Sequence, residues 1–157
     1  MSNKPDIETR HLRNDEGCKL HVYICPAGHP TIGFGHKLEP GESFPDGITR
    51  EKAEELFWKD VNDALNEINR LCPGLDKKLN RNQRTALISL VFNAGGAPLA
   101  GTPGKLLRAG KFEDAAKSFT LYRHAHGKGE PCRDGCNGLL ARRKRERDLF
   151  LLPVIPK

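Results

Sequence analysis

The sequence has few aromatic residues and no long apolar run. Phe, Trp and Tyr make up 6% of the 157 residues, which disfavours a stacking platform for single-stranded nucleic acid. No stretch approaches the roughly 18 consecutive apolar residues of a transmembrane helix, so membrane insertion is not expected. Residues 1–10 are mostly polar and no apolar segment follows them, which predicts that a secretory signal peptide is absent.

The sequence also lacks the even, regular set of cysteines that marks a secreted disulfide framework. The five cysteines are Cys18, Cys25, Cys72, Cys132 and Cys136. Their odd number and irregular spacing predict reduced thiols in a reducing compartment. Internal repeats and low-complexity segments are missing as well, and the length predicts a single domain over residues 1–157.

Acidic residues are outnumbered by basic ones, and the net charge is +6. A basic protein favours an anionic partner, such as nucleic acid, an acidic membrane surface or a bacterial wall polymer. The sequence contains no groove-reading motif, so specific nucleic-acid binding is not expected. The Arg-rich C-terminal segment nevertheless keeps a nucleic-acid binder among the alternatives.

The hydrophobic pattern predicts a small β-element followed by several helices, an α+β fold. A short N-terminal helix at residues 6–15 is followed by apolar alternation and then a turn cluster. A second β-prone run at 31–36 completes a hairpin. After a loop at 37–48, Thr49 is a plausible N-cap. The predicted helices cover about 50–71, 82–93, 105–109, 112–122 and 139–151, with a polar connection at 124–138.

The most specific motif lies around the predicted hairpin. Eight residues separate Glu16 from Cys25, five separate Cys25 from Thr31, and Gly33-Phe34-Gly35-His36 follows. This block resembles the catalytic block of the phage-type lysozymes, glycoside hydrolase family 24, in which Asp is commoner at the position of Cys25. The stretches 82–93 and 138–150 resemble the central and C-terminal helices of the same family.

The resemblance implies a lysozyme-like fold in which two lobes flank an active-site cleft. Residues of about 14–48 would form a small β-hairpin lobe, and about 49–157 with the N-terminal segment a larger helical lobe. The implied activity is hydrolysis of the β-1,4 bond between N-acetylmuramic acid and N-acetylglucosamine in bacterial peptidoglycan, without a cofactor. The resemblance also implies a monomer that stays in the host cytoplasm until a holin gives it access to the wall in the periplasm.

Glycoside cleavage needs a proton donor for the leaving oxygen and a second group on the other face of the sugar. The resemblance implies that Glu16 is the acid, and an acid that works near neutral pH needs a raised pKa, usually through burial. Thr31 is expected to hydrogen-bond the attacking water or to position whatever Cys25 activates. The stretch Gly33-Phe34-Gly35 is expected to bind substrate, because its glycines permit close approach to the backbone.

Cys25 departs from the commoner Asp, and three interpretations of its role are open. A thiol is mostly protonated at neutral pH and is then a poor base, but an ionised thiolate is a strong nucleophile. Cys25 therefore either attacks the sugar to form a covalent intermediate, assists a water together with Thr31, or only fills space. The same departure motivates an alternative function, a peptidoglycan-binding module with impaired catalysis.

Arg142 lies on an otherwise apolar stripe of the predicted last helix. A guanidinium in that position needs an acidic partner or a wet cleft. The family resemblance implies that Arg142 orients Glu16, and the alternative is an intrahelical pair with Glu146. The neighbouring residues Arg143, Lys144, Arg145 and Arg147 are predicted to form a solvated face that attracts anionic wall polymer.

Two sets of residues are candidate metal ligands. His36 lacks an evident partner cluster, so we expect instead a hydrogen-bonding link between the hairpin and the helical lobe that supports the active site. The weak second candidate comprises His124, His126, Cys132 and Cys136. Four such ligands can hold a structural zinc ion, but their spacing matches no common zinc pattern. Unpaired loop residues and a Cys132–Cys136 disulfide formed after release are the alternatives.

Overall fold

The computed structural model describes residues 5–25, 28–123 and 137–153, with the side chains at 14–16 and 137–138 outside the description. The helices are α1 (Thr9–Glu16), α2 (Arg50–Leu71), α3 (Arg81–Ala94), α4 (Ala97–Ala100), α5 (Thr102–Arg108), α6 (Phe112–Ser118) and α7 (Asn137–Leu151). The strands are β1 (Lys19–Ile24), β2 (Pro30–Gly33) and β3 (His36–Lys37). Single 3-10 turns cover Asp76–Lys78 and Phe119–Leu121. This mostly helical architecture with a small sheet confirms the predicted α+β fold class.

The sheet is antiparallel, in the order β1-β2-β3. The prediction of one continuous strand over 31–36 is wrong, because β2 ends at Gly33 and a tight turn leads into β3. Gly33 and Gly35 have φ angles of +67° and +79°, a region that side chains other than glycine rarely adopt. A Cβ at Gly33 would also lie 3.4 Å from the Cβ of Ala53. The positive φ angles therefore explain both glycines, and close packing against α2 is a second reason at Gly33.

The long helix α2 begins and ends where its local signals predict. The Thr49 hydroxyl accepts a hydrogen bond from the backbone N–H of Lys52 at 3.1 Å, and the helix stops at Cys72, before Pro73-Gly74. Its inward face repeats at three- and four-residue steps, as an amphipathic helix requires. The buried residues are Ala53, Leu56, Phe57, Val61, Ala64 and Ile68.

Helix α3 is the central helix of the core. It begins with a capping box between Asn80 and Gln83, and Gly95 at φ +73° ends it. Every residue from Thr85 to Val91 is buried, so other elements surround the middle of this helix on all sides. Helix α7 packs along it, and Phe150 on α7 also contacts Phe119, with ring centroids 5.5 Å apart. These contacts place the charged residues of α7 against the core.

The remaining helices differ in detail from the predicted ones. Helix α4, which directly follows Gly95-Gly96, was not predicted because these glycines indicate a break. Of the predicted connection at 124–138, residues 124–136 lie outside the described residues. The last two positions belong to α7, which begins at Asn137. Among the helices that are described, none is both long and apolar enough to cross a membrane.

Candidate functional site

Glu16 is the last residue of α1. The backbone N–H of Gly17 donates a hydrogen bond to the carbonyl oxygen of Arg13 at 2.7 Å, which closes the final turn of the helix. Gly17 has φ +67°, a glycine-favouring angle that ends the helix before β1. The side chain of Glu16 lies outside the described residues, so its role as the acid stays a prediction.

Cys25 and Thr31 lie at the same end of the β1–β2 hairpin, and the peptide groups of His29 connect them. The backbone N–H of His29 donates to Cys25 Sγ at 3.4 Å, and the Thr31 hydroxyl donates to the His29 carbonyl oxygen at 2.9 Å. That same oxygen accepts the backbone N–H of Cys25 at 3.0 Å. Cys25 is partly exposed, whereas Thr31 is only 2% exposed. The thiol and the hydroxyl are therefore held in one hydrogen-bonded turn.

The ring of Phe34 is directed into the core, and substrate contact at the backbone of this residue stays a prediction. The side chain is 3% exposed and packs edge-on against Phe57, with ring centroids 5.5 Å apart. The guanidinium carbons of Arg13 and Arg50 lie 5.2 and 5.5 Å from the centre of the Phe34 ring. An aromatic ring in this position contributes packing and cation–π contacts to the core.

The two glycines of the predicted substrate-binding stretch differ from each other. Gly33 is buried against α2, whereas Gly35 is partly exposed. Gly35 lies in the wall of an open cavity of about 320 Å³, formed between the β2–β3 turn, α2 and the end of α3. Substrate contact at the backbone of Gly35 stays a prediction.

His36 is buried at the start of β3, with a carboxylate at each ring nitrogen. Nδ1 lies 2.7 Å from Asp60 Oδ2 on α2, and Nε2 lies 2.8 Å from Glu42 Oε1 in the following loop. His36 thus links the sheet to a long helix by hydrogen bonds. Two carboxylate acceptors also require a proton on both nitrogens, which means the charged imidazolium.

The pKa of His36 reflects two opposing effects. Burial lowers it, but the hydrogen bonds and negative charges of Asp60 and Glu42 outweigh burial and raise the pKa above its ordinary value. For Glu42, burial raises the pKa, while the backbone N–H of Glu39 and the His36 imidazolium lower it below the ordinary range. The range of pH over which His36 and Glu42 are both charged is therefore wider than it would be for the two groups apart.

We expect His36→Gln to destabilise the protein by about 2 kcal/mol at pH 6, because hydrogen bonds to charged groups are lost. A raised folded-state pKa means that this contribution is complete below the unfolded value of about 6.5 and is lost as pH rises through the folded value. Urea unfolding at pH 6 and pH 9 should therefore show a smaller wild-type advantage at pH 9. His11→Gln, at an exposed position on α1, is the control. An advantage that grows with pH would contradict the prediction.

Arg142 makes the intrahelical pair that was predicted as the alternative. Its Nε lies 3.1 Å from Glu146 Oε2, and its Nη2 donates to the carbonyl oxygen of Ser89 on α3 at 3.2 Å. Both side chains are buried between α3 and α7. The pair with Glu146 does not exclude a second role, and orientation of Glu16 by Arg142 stays a prediction.

Arg143 is not part of a solvated face, which corrects the sequence-based expectation. Its side chain is 0% exposed, its Nη1 donates to Glu146 Oε1 at 2.6 Å, and its Nη2 donates to Asn93. The reason is that the face of α7 buried against the core is wider than its apolar residues alone indicate, and it includes Arg143. Lys144 and Arg145 are exposed, as predicted.

Glu146 lies between two arginines, Arg142 and Arg143, whereas the sequence predicts it only as a partner of Arg142. Burial raises its pKa, and the charges of Arg143 and Arg142 oppose that rise. The hydroxyl of Ser89 also donates to its carboxylate. The sequence does contain a signal for such a cluster. Two arginines precede a glutamate by three and four residues, so all three side chains lie on the same face of a helix that packs against the core.

The candidate zinc ligands predicted from the sequence lie in a part of the chain that the structure does not describe. His124, His126, Cys132 and Cys136 all lie outside the described residues, so zinc binding there stays untested. Across 5–25, 28–123 and 137–153, no group of three or more His, Cys, Asp or Glu side chains is arranged to hold a metal ion.

Comparisons with known proteins agree on one family. The family model described as phage lysozyme matches residues 13–146. The endolysin of Salmonella phage P22 is 40% identical over 148 residues, covering 89% of this chain and 92% of the phage protein. The solved structure of an endolysin from Escherichia coli O157:H7 phage FAHEc1 matches with a TM-score of 0.76 at 27% identity, covering 100% of both chains. A solved P22 lysozyme mutant matches with a TM-score of 0.71 at 34% identity, covering 94% of this chain and 99% of that one.

The matched region contains the whole block from Glu16 to His36, the central helix α3 and most of α7. The small antiparallel sheet and the helical core agree with the solved endolysin structures in fold. Sequence family, curated relatives and structural neighbours thus point to the same enzyme class. The chain belongs to the phage lysozyme family and is a glycoside hydrolase, a muramidase that degrades peptidoglycan.

Proposed function

We propose that this enzyme cleaves the β-1,4 bond between N-acetylmuramic acid and N-acetylglucosamine, with Glu16 as the general acid. The observation that carries the proposal is the hydrogen-bonded turn in which His29 joins Cys25 to Thr31. These two residues stand at the family spacing from Glu16. The turn brings a nucleophilic or basic group and a water-binding hydroxyl to one place, as glycoside hydrolysis requires.

In the proposed reaction, Glu16 gives its proton to the glycosidic oxygen as the bond to the anomeric carbon breaks. The Thr31 hydroxyl donates to the His29 carbonyl, so its oxygen can accept a hydrogen bond from the attacking water. The N–H of His29 stabilises negative charge on Cys25 Sγ, either as a base for that water or as a nucleophile. In the covalent route, water later displaces the thiolate and Glu16 takes the proton of that water.

Product analysis of digested peptidoglycan tests the bond and the route together. New reducing ends at muramic acid are expected, and ends at glucosamine would contradict the proposed bond. The anomer formed at early times separates direct water attack, which inverts, from the covalent route, which retains. Binding to cell walls without any new reducing ends would favour the alternative of an impaired binding module.

Replacement of Cys25 distinguishes its three possible roles. We expect Cys25→Asp to stay active, because a carboxylate can serve as base or nucleophile, and Cys25→Ala to lose activity by roughly 10²–10⁴-fold. The measurement is the initial rate of wall clearing on permeabilised cells. Cys18→Ala, at a partly buried cysteine before β1, is the matched control. Equal rates for the Asp and Ala variants would reduce Cys25 to a space-filling residue.

We also propose that the enzyme is a monomer that stays in the host cytoplasm until a separate holin opens the route to the periplasm. Family membership and the irregular set of cysteines support retention in the cytoplasm before release. The net charge of +6 favours binding to the anionic wall. Expression in a Gram-negative host with and without a holin is the test. Lysis without the holin would contradict the dependence, and a dimer in sedimentation would contradict the monomer.

A further inference from the structure

The helix that carries Glu16 is too short to hold its own position. Helix α1 has eight residues, and isolated helices of this length are marginal in water. Buried Leu12 anchors its inner face. The orientation of its last turn must therefore come from contacts that α1 makes with other elements.

Arg13 makes the most specific of these contacts. Its Nη1 and Nη2 donate to Glu54 Oε1 and Oε2 on α2 at 2.5 and 2.6 Å, a two-pronged geometry that fixes direction as well as distance. Its guanidinium carbon also lies 5.2 Å from the ring centre of Phe34 and 4.9 Å from that of Phe57. One side chain thus connects α1 to the β2–β3 turn and to one face of α2.

The same residue closes the turn that contains Glu16. The carbonyl oxygen of Arg13 accepts the N–H of Gly17, so the backbone from Arg13 to Gly17 forms one hydrogen-bonded unit. If loss of the Arg13 side-chain contacts lets the last turn of α1 shift, the backbone of Glu16 shifts with it. General acid catalysis is sensitive to such movement, since a misplacement of about 1 Å can cost about 100-fold in rate.

The Arg13–Glu54 pair is poorly suited to a purely stabilising role. The two side chains are 28% and 34% exposed, and ion pairs that contact solvent contribute little to stability. We propose that Arg13 and Glu54 are positioning residues that fix the last turn of α1 and thereby aim the Glu16 carboxyl at the glycosidic oxygen. This inference rests on the proposed role of Glu16.

The test compares kcat and KM for Arg13→Met, Arg13→Lys and Glu54→Gln on solubilised glycan strands, at a temperature where each variant is fully folded. We expect kcat to fall about 10–100-fold in Arg13→Met and less in Arg13→Lys, which keeps the charge but not the fork. Glu54→Gln should fall about tenfold, and KM should stay within about twofold in all three. In a Glu16→Gln background, Arg13→Met should leave the residual rate unchanged.

The matched control is Asp76→Asn, which breaks the partly buried ion pair of Asp76 with Arg84, whose Nε–Oδ1 distance is 2.6 Å. It should leave kcat unchanged and, because Asp76 also contacts solvent, lower stability only slightly. If Arg13→Met loses stability but keeps the parent kcat, Arg13 is only structural and the positioning proposal is wrong. If Glu16→Gln itself keeps the parent kcat, the acid assignment fails instead, so the two failures are distinguishable. Should Arg13→Met not fold, Arg13→Lys and Glu54→Gln decide, and an unchanged kcat in both would overturn the proposal.

Discussion

Glu16→Gln is expected to keep the fold and to lower the rate of peptidoglycan hydrolysis by roughly 10²–10⁴-fold. The amide has nearly the shape of the acid but cannot give a proton to the leaving oxygen, and general acid catalysis contributes a factor of this size. The rate is best measured as new reducing ends per folded molecule, since clearing of whole cells also depends on binding to the wall.

Glu55→Gln is the matched control for this substitution. Glu55 is on α2, its side chain is 70% exposed, and it makes an ion pair with Lys52 at 3.3 Å. The same chemical change at this position should leave the rate within about twofold. A Glu16→Gln protein that hydrolyses peptidoglycan like the parent would remove the acid assignment and with it the proposed mechanism.

Glu146→Gln is expected to cost about 3–5 kcal/mol in the free energy of unfolding, the largest stability effect that we predict. The carboxylate is buried and lies between the guanidinium groups of Arg142 and Arg143. Removal of its charge leaves two buried cations without their shared counter-ion, which is the costly way to break a buried ion pair. Urea unfolding at pH 7 measures the difference.

Glu113→Gln provides the comparison at the surface. Glu113 pairs with Lys117 at 3.4 Å one turn along α6, and both side chains are largely exposed. An exposed pair of this kind contributes at most about 1 kcal/mol, so a small change is expected. If Glu146→Gln is as mild as Glu113→Gln, the cluster between α3 and α7 does not depend on the charge of Glu146.

Elements that depend on near neighbours in the chain were predictable from the sequence. Thr49 and Gly95 are the kinds of residue that cap helices, and they bound α2 and α3 within one residue of the predicted ends. The apolar periodicity of α2 identified its buried face. The spacing of Glu16, Cys25 and Thr31 was sufficient to indicate the family that the comparisons confirm.

The errors concern residues whose environment is set by distant elements. The ring of Phe34 is covered by α1 and α2, although local sequence does not indicate which elements cover it. Arg143 was expected in solvent because arginine is rarely fully buried without a partner. One of its partners, Asn93, lies 50 positions away, on α3. No pattern within α7 specifies that contact.

The sequence by itself determined the α+β class, the long helices and the family block, because hydrophobic periodicity, caps and motif spacing are local properties of the chain. Only the tertiary structure decided which charged groups are buried together. Asp60 meets His36 across 24 positions, and Ser89 meets Glu146 across 57. Such contacts arise when helices and sheet pack, since burial removes water and leaves each polar group to be satisfied by whichever neighbour the fold supplies.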